Sequence, residues 1–408
     1  LASWLRAERL AASTRQEIEM DLKQHADRIL GNAVAAGAVP GVVAMATNRE
    51  GTIYEGAFGE RTLGGGQAMT MDTVGWIASM TKAITSVAAV QCVERGQIDL
   101  DAPAHRVLPA IGEVQVLTGF DTAGKPTYRA PRRPVTLRHL LTHSAGFSYE
   151  IWNTEIAKVQ AALDIPSVTS CQNKALNLPL LFDPGERWEY GINIDWAGKM
   201  VEAVSGKKLG AYMHDNIFAP LGMTSTAFKI TPDMRSRLAG VHLRGPDGKL
   251  APMPFELEQN PEFEMGGGGL YSTAGDYLKF VRMVLNHGQL GGERILKPET
   301  VANALMLNQM GDARVTKLKT AHPLTNDAEF FPGVNKSWSL AFQINNDRAP
   351  TGRPAGGLMW AGLANSFYWI DMQTGVGGVF ISQIFPFADT GSVPAFCDFE
   401  SAVYTSMA

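Results

Sequence analysis

Ser79 and Lys82 stand three residues apart in Ser79-Met80-Thr81-Lys82, an S-x-x-K tetrad. On a helix, positions i and i+3 share a face, so the hydroxyl and the amine would lie side by side within reach of a shared proton. Residues 74–96 are predicted to form that helix, with the serine in its first turn. Ile84, Val87, Ala88 and Cys92 recur at helical spacing, so most of its length is expected to be buried. A lysine in such a place loses hydration, which disfavours its charged form and lowers its pKa. A neutral amine next to a serine supplies the base that the hydroxyl needs to become a nucleophile without a histidine. The tetrad alone also fits a plainer arrangement, in which Ser79 caps the helix and the Lys82 stem snorkels to solvent. The rest of the chain decides between them.

Other chemistries have weaker support. No G-x-S-x-G is present, so the strand-to-helix elbow of α/β-hydrolases is absent. Residues 266–269 are four glycines, but no phosphate-binding lysine follows, and a tight backbone passage near a cleft is the expected role. His139 and His143 have the i, i+4 spacing of a helical zinc pair, yet the glutamate of H-E-x-x-H is missing. A structural pair near a helix end is expected there, and no metal or other cofactor is implied. Tyr190 precedes a helix at 194–204, for which Asn193 is the expected N-cap and Gly206 the stop. Trp360-Ala361-Gly362 stands at the entry of a strand expected at 365–371, where small residues would let a substrate lie along a strand edge.

The elements that must position these groups follow from pattern. Residues 18–36 have helical periodicity, and 41–47 with 52–58 form a hairpin. A small β-excursion is expected within 113–130, and mostly helix from 134 to 204. A second hairpin is expected at 239–243 and 248–253, then a helix at 277–286. Strands are expected at 338–344, 365–371 and 377–383, with a closing helix near 393–405. Strands at both ends with helices between them predict an α+β fold, its antiparallel sheet assembled from the two termini around an inserted helical lobe. The expected division is an α/β lobe of 15–100 and 226–408, a mainly helical lobe of 101–225, and an active site in the cleft between them.

With 408 residues, 45% apolar and 19% charged, the chain has ample material for two lobes and is not a disordered sequence. The net charge of -4 gives no basic footprint for nucleic acid. Three widely spaced cysteines suggest neither a disulfide framework nor a zinc cluster and fit a reducing compartment. No apolar run approaches a membrane span, and LASWLRAERLAAS lacks the apolar centre of a signal peptide. A cytoplasmic location is the resulting expectation.

Three stretches occur in a telling order: S-x-x-K opening a buried helix, a tyrosine before a second helix, and a small-glycine strand edge. In that order they resemble the serine β-lactamase and penicillin-binding-protein superfamily. Within it the chain looks most like the class C-like esterases called family VIII carboxylesterases and the related lovastatin-type acyltransferases. Gln97-Ile98-Asp99-Leu100-Asp101, the run from Thr136 to Gly146, Asp183-Pro184-Gly185 and the run from Gly266 to Ser272 extend the likeness over most of the chain. The sequence departs from the β-lactamases proper at two points. Tyr190 is followed by Gly191-Ile192, so Asn193 falls one place late for Y-x-N, and K-T-G has become Trp360-Ala361-Gly362.

The resemblance implies a serine hydrolase with Ser79, Lys82 and Tyr190 as catalytic groups and the N–H groups of Ser79 and Leu363 as oxyanion hole. It implies a small-molecule ester as substrate, bound by Trp360, Ala361 and Gly362. Phe147, Tyr149 and Trp152 are candidates for an apolar acyl pocket, or equally core aromatics. Hydrolysis of short-to-medium acyl esters is expected. Acyl transfer to an alcohol, weak β-lactamase or D-peptidase activity, and a silent binding protein on the same fold are the alternatives.

Overall fold

Small and β-branched residues fill GVVAMATN, and Gly41–Asn48 is a strand buried along nearly its whole length. Such a strand needs cover on both faces and a partner on both edges. Thr52–Gly59 pairs with one edge and Val376–Ile381 with the other, both antiparallel. The computed structural model describes residues 21–407 and places this strand in a seven-stranded sheet. Its order is Lys336–Trp338, Gln343–Asn345, Gly357–Gly362, Ser366–Asp371, Val376–Ile381, Gly41–Asn48, Thr52–Gly59. Every neighbouring pair is antiparallel, and the strand Gly41–Asn48 from the first part of the chain lies beside Val376–Ile381 from the last part, toward one side of the sheet. The fold is the serine β-lactamase and penicillin-binding-protein type.

Alternation along the strands supplies the cover. Phe367 and Trp369 meet Phe396 of the closing helix Ser392–Thr405, at ring-centroid distances of 4.6 and 5.9 Å. Tyr368, between them, points the other way and packs on Tyr277 of the helix Ala274–Leu285, at 5.0 Å. The helix of residues 21–35 buries Leu22, Ala26 and Leu30. The part of the expected helix before residue 21, Ile18 included, and the segment LASWLRAERLAAS lie outside the described residues. Between the two terminal regions stand the helices Leu137–Leu141, Thr154–Leu163 and Asn193–Ser205 and the small hairpin Val116–Phe120 with Pro126–Arg129. Among the described residues no helix is long and apolar enough to cross a membrane.

Four expected boundaries are corrected. The nucleophile helix does not begin at Val74. Val74–Trp76 is a strand paired with Tyr271–Thr273, Ala78–Met80 is a single 3-10 turn, and the α-helix runs over Thr81–Glu94. The reason is distant in sequence. The Gln383 side chain takes the Trp76 N–H at 2.9 Å and gives an N–H to the Trp76 carbonyl at 3.0 Å, holding 74–76 extended. The expected strand at 338–344 is two short strands, because Ser339 turns the chain by accepting the Phe342 N–H at 2.9 Å. The Trp360 stretch leads into the expected strand, Ser366–Asp371, and is also a strand itself, Gly357–Gly362, while the helix expected from 277 starts at Ala274, capped by Thr273.

The helix Thr81–Glu94 is buried at every position from Thr81 to Cys92, as expected for a helix without a polar face. The strand Gly357–Gly362 packs on the turn before it so closely that a Cβ on Gly362 would lie 2.4 Å from the Ile77 carbonyl oxygen. Backbone cannot retreat there as a flexible side chain would. Gly362→Ala should therefore lower stability by about 1–3 kcal/mol, an overpacking cost. Thermal unfolding followed by circular dichroism checks this, and an unchanged melting temperature would contradict the close approach.

Candidate active site

Ser79 is delivered by a backbone turn that is itself unusual. Ala78 has φ +44°, a left-handed conformation that costs a residue with a Cβ on the order of 1 kcal/mol or more. The strain persists because the Trp76 amide pairing on one side and the Thr81–Glu94 helix on the other fix both ends. One turn on, the Lys82 side chain is 1% exposed and does not snorkel. Its Nζ lies 3.0 Å from Ser79 Oγ, 3.1 Å from the Tyr149 hydroxyl and 2.6 Å from the Gly267 carbonyl oxygen. It also stands 4.6 Å from the Tyr190 ring centre and 5.2 Å from that of Tyr149. Burial pushes the Lys82 pKa down, and the Asp195 charge opposes that shift.

Tyr190 is buried at the end of the segment that enters the helix Asn193–Ser205. Its hydroxyl accepts the indole N–H of Trp360 at 2.9 Å. The ring is held by Trp360, Tyr149 and His143, with centroids 5.0, 5.4 and 4.9 Å away. Burial drives its pKa upward, while hydrogen bonds with Ser79 and Trp360 act against the rise. The phenol is therefore held in its neutral form. Trp360 was expected only to bind substrate, and its N–H also anchors the tyrosine.

Asn193 is not an N-cap. It is the first residue inside its helix, Ile192 occupies the cap position, and the Asn193 amide bonds His143 Nδ1 at 3.2 Å and the carbonyls of Phe147 and Glu189. It braces the loop behind Tyr190 from within. His139 and His143 do not converge. His139 Nδ1 accepts the Thr136 N–H in a capping box, with its pKa pushed down to about 4 by burial, while His143 is buried against Tyr190. Among the described residues no three His, Cys, Asp or Glu side chains gather as a metal site.

A cavity of about 300 Å³ opens onto these groups. Ser79, Tyr149, Trp152, Tyr190, Trp360, Ala361 and Leu363 line it, joined by Trp76, Phe255 and Phe385. Two expected pocket residues do not reach it. Phe147 is fully buried and stacks on Trp196 at 6.0 Å, so it is core, and Gly362 lies behind the wall against Ile77. Tyr149 does line the cavity, and its hydroxyl also meets Lys82, a contact that no spacing rule announces. Asp195 was missed entirely. Its signal was a carboxylate sharing a helix face with Gly198, in a helix whose neighbours Ile194, Trp196 and Ala197 are all buried.

A serine at the cavity wall with a buried lysine beside it and a phenol in front, set on this sheet, fits a serine acyl-transfer enzyme, and the chain belongs to the Beta-lactamase family, whose profile matches residues 26–395. Its relatives include acyl-transferring and acyl-hydrolysing enzymes. It is 33% identical over 392 residues to the monacolin J acid methylbutanoyltransferase of Aspergillus terreus, covering 91% of this chain and 93% of that one. It is 38% identical over 365 residues to the lovastatin esterase of Penicillium rubens, covering 85% and 89%. The unliganded simvastatin synthase of Aspergillus terreus superposes with a TM-score of 0.79 at 31% identity, covering 93% of this chain and 97% of that one. The fold is shared also with EstCE1, described as a hydrolase with promiscuous acyltransferase activity, at a TM-score of 0.76 and 21% identity, covering 95% and 99%. The protein is thus a serine hydrolase of the esterase and acyltransferase branch.

Trp360→Phe keeps the ring and removes the donor to Tyr190. A hydrogen bond to a group that carries charge during reaction is worth about 1.5–3 kcal/mol, so kcat should fall roughly 10- to 100-fold. Steady-state kinetics on p-nitrophenyl butyrate should show this with KM little changed.

Proposed function

We propose that the protein is a carboxylesterase that hydrolyses short-to-medium acyl esters through an acyl-enzyme on Ser79. The observation that carries this is the buried Lys82 amine 3.0 Å from the Ser79 hydroxyl at the wall of an apolar cavity. Burial favours the neutral amine, which takes the Ser79 proton as Oγ attacks the ester carbonyl. The N–H groups of Ser79 and Leu363 hold the oxyanion, and loss of one such donor costs on the order of 3 kcal/mol. Lys82 is the base in this reading because the Tyr190 phenol is held neutral. Tyr190 then passes a proton to the departing alkoxide and is recharged from Lys82. Water enters by the same route in reverse and releases the acid. In this reading the cleft lies between the described residues of an α/β lobe (15–100 and 226–408) and a helical lobe (101–225), since its lining draws on Trp76, Ser79 and Phe255 from one and Tyr149, Trp152 and Tyr190 from the other.

Among the described residues the cavity lining contains no lysine or arginine, and Trp360 stands where β-lactamases carry the lysine of K-T-G. Both features favour an uncharged acyl ester over an anionic antibiotic. Transfer to an alcohol acceptor uses the same residues. It is favoured as a second activity by the likeness to the methylbutanoyltransferase.

Ser79→Ala should reduce p-nitrophenyl butyrate turnover to background, and Lys82→Ala and Tyr190→Phe should each lower kcat by about 10²–10⁴-fold. A serine-reactive phosphonate should add one mass adduct on the peptide holding Ser79. Wild-type turnover by Ser79→Ala would overturn the assignment. Product analysis with a competing alcohol separates hydrolysis from transfer. The activity should rise with pH as the Lys82 ammonium loses its proton, along a limb lying below the ordinary lysine range because burial disfavours the charged form.

A further inference from the structure

Asp195 is 1% exposed on the helix Asn193–Ser205. Its Oδ1 accepts the Gly267 N–H at 2.8 Å, and among the described residues no protein donor reaches Oδ2. The carboxylate fills the space beside Gly267 so fully that a Cβ there would lie 2.5 Å from Oδ2. The carbonyl of the same glycine takes the Lys82 amine at 2.6 Å. One residue of the glycine passage is thus held by the carboxylate through its N–H and holds the amine through its oxygen.

We propose that Asp195 is a positioning residue of the acyl-transfer site, which fixes the Gly267 carbonyl against Lys82 and serves as counter-charge when the Lys82 amine takes up the Ser79 proton. The inference rests on the acyl-transfer reading above. In the step concerned the Ser79 O–H bond breaks, an N–H bond forms on Lys82, and the oxygen's electron pair goes to the ester carbonyl carbon. The new ammonium then lies in a water-poor pocket, where an isolated charge is costly. Lys82 faces the carboxylate from the helix Thr81–Glu94, Tyr149 and Tyr190 from the loops flanking the cavity, and Cys171 from a 3-10 turn. His143 faces Lys82 from behind Tyr190, while Glu150 and Glu258 act on Tyr149 and Cys171. Of these only Lys82 becomes a cation beside Asp195, because burial keeps His143 neutral. Burial also raises the Asp195 pKa and the Lys82 charge opposes it, consistent with a pair that shares its protonation state.

The test is the pH profile of kcat/KM for Asp195→Asn, an isosteric change. Removing the negative charge makes the ammonium less favourable, so the limb on which activity rises with pH should move down by about 1 pH unit. The plateau should fall about tenfold or more, because the transient ammonium has lost its partner. A limb that stays in place would overturn the proposal, whatever happens to the rate. Stability gives an independent arm. Lys82→Ala strands a buried carboxylate, so adding Asp195→Asn should raise the melting temperature in that background at pH 8 and lower it in the wild type. Equal lowering in both overturns the counter-charge. Should Asp195→Asn not fold alone, a stable Lys82→Ala/Asp195→Asn protein supports the pairing, and a double variant that also fails to fold refutes it. An active Ser79→Ala would defeat the acyl-transfer reading while leaving this stability cycle standing, so the two failures are distinct.

Discussion

Lys82 Nζ, a nitrogen kept from water, meets three oxygens: the Gly267 carbonyl, the Tyr149 hydroxyl and the Ser79 hydroxyl. A carbonyl can only accept, so one N–H of the lysine must point at Gly267. A neutral amine has one more N–H and one lone pair to distribute between the two hydroxyls. With the N–H given to Tyr149, the lone pair is left for Ser79, in the orientation required to remove its proton. In the protonated form the three N–H groups of the ammonium find three acceptors, and no donor is left unsatisfied. The same pocket therefore accommodates both protonation states of the amine without rearrangement, the preorganisation that the proposed base requires.

Holding that nitrogen in place governs much of the surrounding packing. Four elements far apart in the sequence converge on it: the 79–82 turn, the Tyr149 and Tyr190 loops, and the 266–269 glycine passage. Their approach is closer than side chains allow, so glycine stands at Gly362 and Gly267, where a Cβ would meet backbone or the Asp195 carboxylate. The left-handed Ala78 is stabilised by the same convergence, since the sheet edge and the buried helix fix the turn from both ends. Strain at one residue is small beside the burial of the helix Thr81–Glu94, which anchors the lysine from its own first turn.

The parts legible in the sequence were those set by local pattern or by spacing. The Gly41–Asn48 hairpin and the closing helix followed from periodicity, and Ser79 with Lys82 from the geometry of a single turn. Tyr190 was found through its place in an ordered set of motifs. What escaped was set by partners remote in the chain. Residues 74–76 are extended because Gln383 pairs with their backbone, and nothing near Val74 encodes that. Asn193 looks like a cap, yet its amide is drawn inward by His143 and two carbonyls. Phe147 and Tyr149 differ by two positions and point to different places, one into the core and one into the cavity, on a loop without periodicity. Asp195 carries no motif, because its partner is a backbone N–H.

In the proposed mechanism the serine–lysine–tyrosine arrangement activates a hydroxyl and carries the acyl group, and it is indifferent to which nucleophile comes next. Water and an alcohol present the same O–H to the same Lys82 and Tyr190. The partition between hydrolysis and transfer is therefore a competition for one position in front of the acyl carbonyl. An apolar wall of Trp76, Phe255 and Phe385 weakens the hold on water there, while an alcohol with an apolar body gains from burying it against the same rings. Relatives of both kinds, an esterase at 38% identity and a transferase at 33%, are in keeping with one site that serves either outcome. Changes to the apolar lining would then move the product ratio at constant acylation rate, whereas changes around Lys82 would alter acylation and leave the ratio alone.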